Sequence, residues 1–301
     1  MQYPTTKHWI AALPLLIVLL SACSGTTTAP APPQGAPTGT DGTVLLLTKT
    51  VQAMQQVKTA HVAATSQGTL QTNGITLPAL PQHQAIPYTL KLNSDISIPS
   101  QQEQGQLQLI LTPSAQQPIT LQVTEVVSGQ KLYVTVPGNQ PAPQWLVVDL
   151  ARIFSQQQVT AGTMHALNLL MLAAQHVAVT DHGITQTQEG AVHHLTVTLT
   201  EQELVKIAAT TTEPKLGQLL SRVQLQTPLQ LDLFIHEDTS RLQQVILKGK
   251  ATIALDPAPS LGQQGGAVVR TVQVDTTTTI QFRNYNQPLQ ITIPTSSSAQ
   301  Q

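Results

Sequence analysis

The chain has 301 residues, enough for one large domain, yet only 10% of them are charged where about 25% is usual. A formal net charge of −1 with no basic cluster excludes the concentrated positive field that nucleic acid binding requires. A single cysteine excludes an internal disulfide framework, so the fold must draw its stability from its core.

In chain order, Lys7 and the amino terminus precede an apolar run from Ile10 to Leu20. A positive stretch before about eleven apolar residues is the pattern of a secretory signal, since about 20 are needed to cross the hydrocarbon core. Leu20-Ser21-Ala22-Cys23 follows and resembles the lipobox of bacterial lipoproteins. That resemblance implies a diacylglycerol thioether on Cys23 and cleavage before it, so residues 1–22 read as signal and Cys23 as the anchor. Two or more acyl chains on one residue suffice for lasting membrane attachment. Loss of Lys7 leaves 13 basic against 15 acidic residues, so an anionic membrane would not attract the mature surface. Residues 24–42 are rich in Thr, Ala, Pro, Gly and Ser and read as a disordered tether.

Thr43 is positioned to cap a helix whose stripe is Val44, Leu47, Val51 and Met54, ending near Lys58. Alternation begins at His61 with Val62, Ala64 and Leu70 on one side, and Gly74, Pro78, Pro81 and Pro87 read as loop positions. The clearest strand places Tyr88, Leu90, Leu92, Ile96 and Ile98 on one face and Thr89, Lys91, Asn93, Asp95 and Ser97 on the other. One face is dry and one wet, as in an antiparallel sheet packed on a single side. Three sets repeat it: Leu107, Leu109 and Leu111; Ile119, Leu121 and Val123; Leu132, Val134 and Val136.

Between Phe154 and Gln175 the period becomes helical through Met164, Leu167, Leu170, Met171 and Ala174. A strand pair turning at Glu189-Gly190 follows, then a capping box of Thr200 and Glu203 that starts a short helix, interrupted at Pro214. Leu229, Leu231, Leu233 and Ile235 form a strand, with a turn from Glu237 to Ser240 and a return through Val245 and Leu247 to Leu255. Residues 256–267 read as a long loop. Val272, Val274, Ile280 and Phe282 mark another long strand, in which Thr276 and Thr278 are polar breaks, and Leu289, Ile291 and Ile293 would close the sheet. Residues 295–301 read as a disordered tail.

The order of elements resembles the LppX/LprG-type bacterial lipoproteins, distant structural relatives of the LolA and LolB carriers. The residues that carry it are Leu45 to His61, Gly129-Gln130-Lys131-Leu132-Tyr133, Trp145-Leu146-Val147-Val148-Asp149-Leu150, and the stretch from Phe282 to Ile291. Together they span nearly the whole mature chain. The resemblance implies an α+β fold over residues 43–294: a strongly bent antiparallel sheet, shaped like half a barrel, with helices covering its concave face around an apolar cavity that holds acyl chains. The Pro78 to Pro87 segment and the 256–267 loop depart from the family pattern. On this reading the cavity is lined by Val51 and Met54; Leu90, Leu92, Leu107 and Leu109; Leu121, Val123, Leu132 and Val134; Met164, Leu167, Leu170 and Met171; and Leu231, Leu233, Val245, Leu247, Val272 and Val274. Periodicity alone favours a packed core, and the resemblance reverses that preference.

No nucleophile elbow, phosphate-cradling glycine loop or zinc-binding helix motif occurs, so no catalytic residues, metal site or cofactor are expected. His193 and His194 are neighbours on a strand and point to opposite faces, which prevents joint chelation. His176 and His182 read as solvated residues, and Glu201 and Glu203 as capping groups. The expected protein is non-enzymatic, extracytoplasmic and lipid-anchored. Its partners would be the membrane, a lipid or glycolipid ligand, and an envelope transporter or acceptor protein, but no nucleic acid. The alternative is an envelope sensor or interaction scaffold of the same fold without lipid cargo.

Overall fold

In the computed structural model, residues 41–74, 84–114, 117–135, 145–149, 177–210, 220–255, 270–294 and 299–300 are described. A helix, α1 (Asp41–Gln55), leads into β1 (Thr59–Asn73), β2 (Ile86–Ser97), β3 (Gln102–Leu111), β4 (Ile119–Ser128), β5 (Lys131–Thr135) and β6 (Trp145–Asp149). The second half holds the hairpin β7 (Val179–Thr187) and β8 (Gly190–Leu199), then helix α2 (Glu201–Thr210). It continues with β9 (Val223–Leu225), β10 (Leu229–His236), β11 (Leu242–Leu255), β12 (Arg270–Arg283) and β13 (Ala299–Gln300). The strands form one sheet in the order β13-β6-β5-β4-β3-β2-β1-β12-β11-β10-β8-β7, with β9 added to β11. Every pairing is antiparallel except that of β13 with β6. The terminal strands of this order, β7 and β13, do not pair, so the sheet is open, which fits the expected half-barrel. No helix among the described residues is long and apolar enough to cross a membrane.

Alternation explains why one sheet forms. Along β2 the burial switches residue by residue, with Ile86, Tyr88, Leu90, Leu92, Ser94 and Ile96 buried and Pro87, Lys91 and Asn93 exposed. Pairing keeps that phase across neighbours, because Leu92 faces Ala64 on β1 and Leu107 on β3, and Leu107 faces Val123 on β4. On the other side Ala64 faces Ile280, Ile280 faces Val245, Val245 faces Leu233, and Leu233 faces Leu195. One dry row therefore crosses β4 to β8. Helix α1 joins it through Leu47, Val51 and Met54, which are buried in the same apolar cluster. The stripe expected for this helix is present, while Leu45 on its other side is 55% exposed.

Helix α2 starts as its capping box requires. The Thr200 N–H donates to Glu203 Oε2 at 2.7 Å, and the Glu203 N–H donates to Thr200 Oγ1 at 3.4 Å. Three other expectations fail. Helix α1 opens at Asp41, so Thr43 lies inside its first turn rather than at its cap; it is buried, and its side chain reaches Asp181. Pro87 belongs to β2, not to a loop, because a proline near a strand's start gives up only one donor. Leu289, Ile291 and Ile293 form no strand. Their segment crosses the ends of β1 and β3 instead, held by the Asn286 N–H on the Thr59 carbonyl and the Thr292 N–H on Gln104 Oε1. Pro288 and Pro294 remove donors a ladder would need. The strand that does border β6 is Ala299–Gln300, within the stretch that reads from sequence as a disordered tail. The helix expected around Met164 to Ala174, the break at Pro214 and the 256–267 loop lie outside the described residues.

The centre of the dry face is not wholly apolar. Tyr88 on β2 donates to Thr276 Oγ1 on β12 at 2.7 Å, across the intervening β1. In the register Gly68 faces both Tyr88 and Thr276, so the tyrosine passes over the one residue that offers no side chain. Ser66 lies within 3.1 Å of the Tyr88 hydroxyl and 2.9 Å of Thr276 Oγ1, and Thr278 donates to Ser66 Oγ at 2.8 Å. The polar breaks expected at Thr276 and Thr278 thus satisfy one another. A Cβ on Gly68 would run into the Asp275 carbonyl, a backbone atom that cannot swing away. Gly68→Ala should therefore lower the thermal midpoint, with a loss of about 3 kcal/mol in chemical denaturation. Unchanged stability would mean that the sheet relaxes freely there.

Candidate ligand-binding face

The dry face is where apolar chemistry is concentrated. Of the residues expected to line a cavity, Val51, Met54, Leu90, Leu92, Leu107, Val123, Leu231, Leu233, Val245 and Val274 are buried in one cluster. Leu109, Leu121, Val134, Leu247 and Val272 are only partly buried and pack against it. Leu132 is half-buried outside the cluster, on the side of β5 that faces Val127 and Val148. Met164, Leu167, Leu170 and Met171 lie outside the described residues. The face thus has a dense centre and a partly open apolar margin, where Leu109 faces Leu121 and Val272 faces Ile253.

Two carboxyls interrupt this face. Glu103 on β3 and Glu125 on β4 occupy the dry phase, being 9% and 8% exposed. Glu103 faces Ile96 and Val127, and Glu125 faces Gly105 and Val134. Ser94 donates to Glu103 Oε1 at 2.6 Å, while Glu125 accepts no hydrogen bond from a described residue. Gly105 makes room for this contact, since a Cβ there would stand 3.2 Å from Ser94 Oγ. Burial raises the pKa of Glu103 above its usual 4.5, only partly countered by Ser94. Burial and then repulsion from Glu103 push Glu125 up to about 7. Burial thus favours the protonated form of both carboxyls, and a protonated carboxyl can donate as well as accept. Sequence reading missed these groups, although a glutamate in the apolar phase of an alternating strand is the signal that would have found them.

The histidines sit on or beside the edge hairpin. His193 and His194 point to opposite faces as expected: His193 Nε2 meets Asp181 Oδ1 at 2.7 Å, and His194 stacks on Phe234 with centroids 4.5 Å apart. His182 also stacks on His194, at 4.4 Å, and meets Thr196. His176 lies outside the described residues. Burial works to raise the pKa of Asp181, but the Gly183 N–H, His193 and Thr43 outweigh it and hold it below the usual range. Asp181 therefore helps to pin the first turn of α1 to the β7–β8 edge. Glu203 caps α2 as described, and Glu201 lies exposed in its first turn. No group of three or more metal-ligating side chains occurs among the described residues.

Among solved structures, the chain is similar to LprF from Mycobacterium bovis, with 14% identity and a TM-score of 0.45 over 86% of this chain and 99% of that one. It is also similar to the lipoprotein LppX from Mycobacterium tuberculosis, with 11% identity and a TM-score of 0.40 over 84% of this chain and all of that one. Both are lipoproteins of the type the sequence resembles. An uncharacterized conserved protein from Thermus thermophilus follows, at 8% identity and a TM-score of 0.29, covering 86% of this chain and 98% of that one. No family model matches the sequence, and no curated protein matches it.

The buried carboxyls predict a pH dependence. An acid whose folded pKa is raised destabilises the fold as pH climbs: the effect is absent below about 4.5, grows up to about 7, and is constant above. For Glu125 the shift corresponds to about 3 kcal/mol. Glu125→Gln should therefore leave the thermal midpoint at pH 4.5 nearly unchanged and raise it at pH 8. Melting curves at the two pH values check this, and equal effects at both would show that Glu125 does not titrate as described.

Proposed function

We propose that the protein is a membrane-tethered, extracytoplasmic lipoprotein that binds the acyl chains of a lipid or glycolipid and carries or presents it in the envelope. Residues 1–22 serve as the signal, Cys23 as the lipid anchor, residues 23–42 as the tether, whose last two residues open α1, 43–294 as the binding domain and 295–301 as a tail, of which Ala299–Gln300 pair with β6. The domain acts by binding and not by catalysis.

The single observation that carries this reading is the dry face itself, one apolar surface shared by β1 to β5, β8 and β10 to β12, whose margin retains partly exposed Leu109, Leu121, Leu247 and Val272. Exposing two long acyl chains to water costs on the order of 20 kcal/mol at about 0.8 kcal/mol per CH₂, which makes unaided transfer slow. A surface of Leu and Val offers nearly what the bilayer offers and lowers that exposure cost while keeping exchange close to balanced. Helix α1, and the segment bearing Met164, Leu167, Leu170 and Met171, would enclose the chains against the concave side. An aromatic content of 3% suits such a lining, because flexible aliphatic walls accept chains of mixed length.

Lipid extraction and mass spectrometry of the protein purified from its membrane test the reading. Co-purifying lipid beyond the Cys23 anchor is expected. In a Leu109→Glu variant, loading should fall about tenfold, because a carboxylate would have to be desolvated against the chains. A folded protein that carries no lipid would overturn the proposal and leave the scaffold reading, which crosslinking to a protein partner would then support. Cys23→Ser should release the protein from the membrane fraction into the soluble one, and retention in the membrane would refute the anchor assignment.

A further inference from the structure

A cleft of about 270 Å³ lies at the sheet end where β10 turns into β11 and β12 stops. Its lining includes Arg241, His236, Thr239 and Asn284, with buried Leu242 and Phe282 beneath them. Two arginines reach it, but they differ in what they meet. Arg283 Nε is 3.2 Å from Glu189 Oε1, and its charge is thereby matched. Arg241 has no carboxylate partner among the described residues; its guanidinium lies 5.5 Å over the Tyr285 ring. Attraction to the ring holds the guanidinium in place without using the N–H groups of its fork, which stay available to donate.

The neighbouring groups do not use up that fork. The Tyr285 hydroxyl donates to the Leu242 carbonyl at 2.6 Å. Glu189 also lines the cleft, but its carboxylate is matched by Arg283 and held by Gln243 Nε2 at 3.0 Å. Glu237 and Asp238 are exposed on the adjoining turn and do not line the cleft. His236, which also lines the cleft, adds a second sign: its Nδ1 is buried with no hydrogen-bond partner among the described residues. A buried polar nitrogen left without a partner calls for one, and an imidazole N–H beside a free guanidinium can share an anionic oxygen with it.

We propose that this cleft is an anion-binding site of the phosphate class, in which the Arg241 fork takes two oxygens and His236 a third interaction. The same chemistry is offered by a free phosphate and by the phosphodiester of a lipid headgroup. The site does not depend on the acyl-binding reading, since inorganic phosphate needs no apolar surface.

The full lipidated protein, in non-ionic detergent micelles at low ionic strength, is titrated calorimetrically with inorganic phosphate and with dihexanoyl phosphatidylglycerol. Saturable phosphate binding is expected, weakened about tenfold in Arg241→Gln and less in Arg241→Lys, which keeps the charge but loses the fork. His236→Gln should weaken it as well, and Lys91→Gln, on the wet face of β2, should not. Tighter binding of the phosphatidylglycerol than of phosphate, itself weakened in Arg241→Gln, assigns the site to a lipid headgroup, and equal affinities assign it to a small anion; both outcomes support the site. Tighter binding that Arg241→Gln leaves unchanged reports the apolar face and counts against the site. If Arg241→Gln loses its fold, the Arg241→Lys and His236→Gln titrations decide. Binding unchanged in folded variants, or no saturable binding of either probe, would overturn the proposal.

Discussion

The pairing of β1 with β12 is the constraint on which the rest of the structure depends. It joins the two halves of the sheet, with His61 facing Arg283 at one end and Asn73 facing Thr271 at the other. Side chains alternate along a strand, so a slip of one residue would carry Val62, Ala64 and Leu70 to the wet side together. The buried polar group of Ser66, Tyr88, Thr276 and Thr278 opposes that slip, because its hydroxyls meet only in this register. Gly68 is the residue that allows the group to form, by letting Tyr88 reach across β1.

Two kinds of buried polarity therefore share one face and act in opposite directions. The hydroxyls are mutually satisfied and specify alignment. Glu103 and Glu125 have little compensation, with Ser94 alone among the described residues donating to the pair, and they raise the energy of the fold once ionised. A face whose only task was packing would be better served by leucine at both positions. On a surface that receives a ligand, a protonated carboxyl pair supplies polar contact within an apolar wall.

The proposed activities follow from how the chain divides its polarity. Gln and Thr make the outer surface soluble without a strong field, and Leu, Val and Ile collect on the inner one. A lipid anchor at Cys23 would hold that inner face near a bilayer within the reach of a short tether. The guanidinium of Arg241 adds a localised positive group at the sheet end, where the Tyr285 hydroxyl also touches the Met54 sulfur of α1. Apolar face and anion cleft are thus linked through the C-terminal turn of α1, one suited to chains and the other to a charged group.

By itself the sequence determined what is local. The apolar stripe of α1, the dry phase of β2, β3, β4, β10, β11 and β12, and the capping box of α2 all follow from spacings of two or three to four residues, because backbone geometry sets which side chains share a face. The expected signal run and lipobox are likewise contiguous and rest on the sequence alone. Tertiary structure alone decided that β1 lies beside β12, that Pro87 can stand in a strand, and that the segment from Leu289 to Ile293 crosses strand ends instead of adding to the sheet. It also decided that Glu103 lies near Glu125 and that Arg241 lies over Tyr285. Each of these joins residues distant in the chain or depends on which neighbour supplies a hydrogen bond, and periodicity carries no information about either.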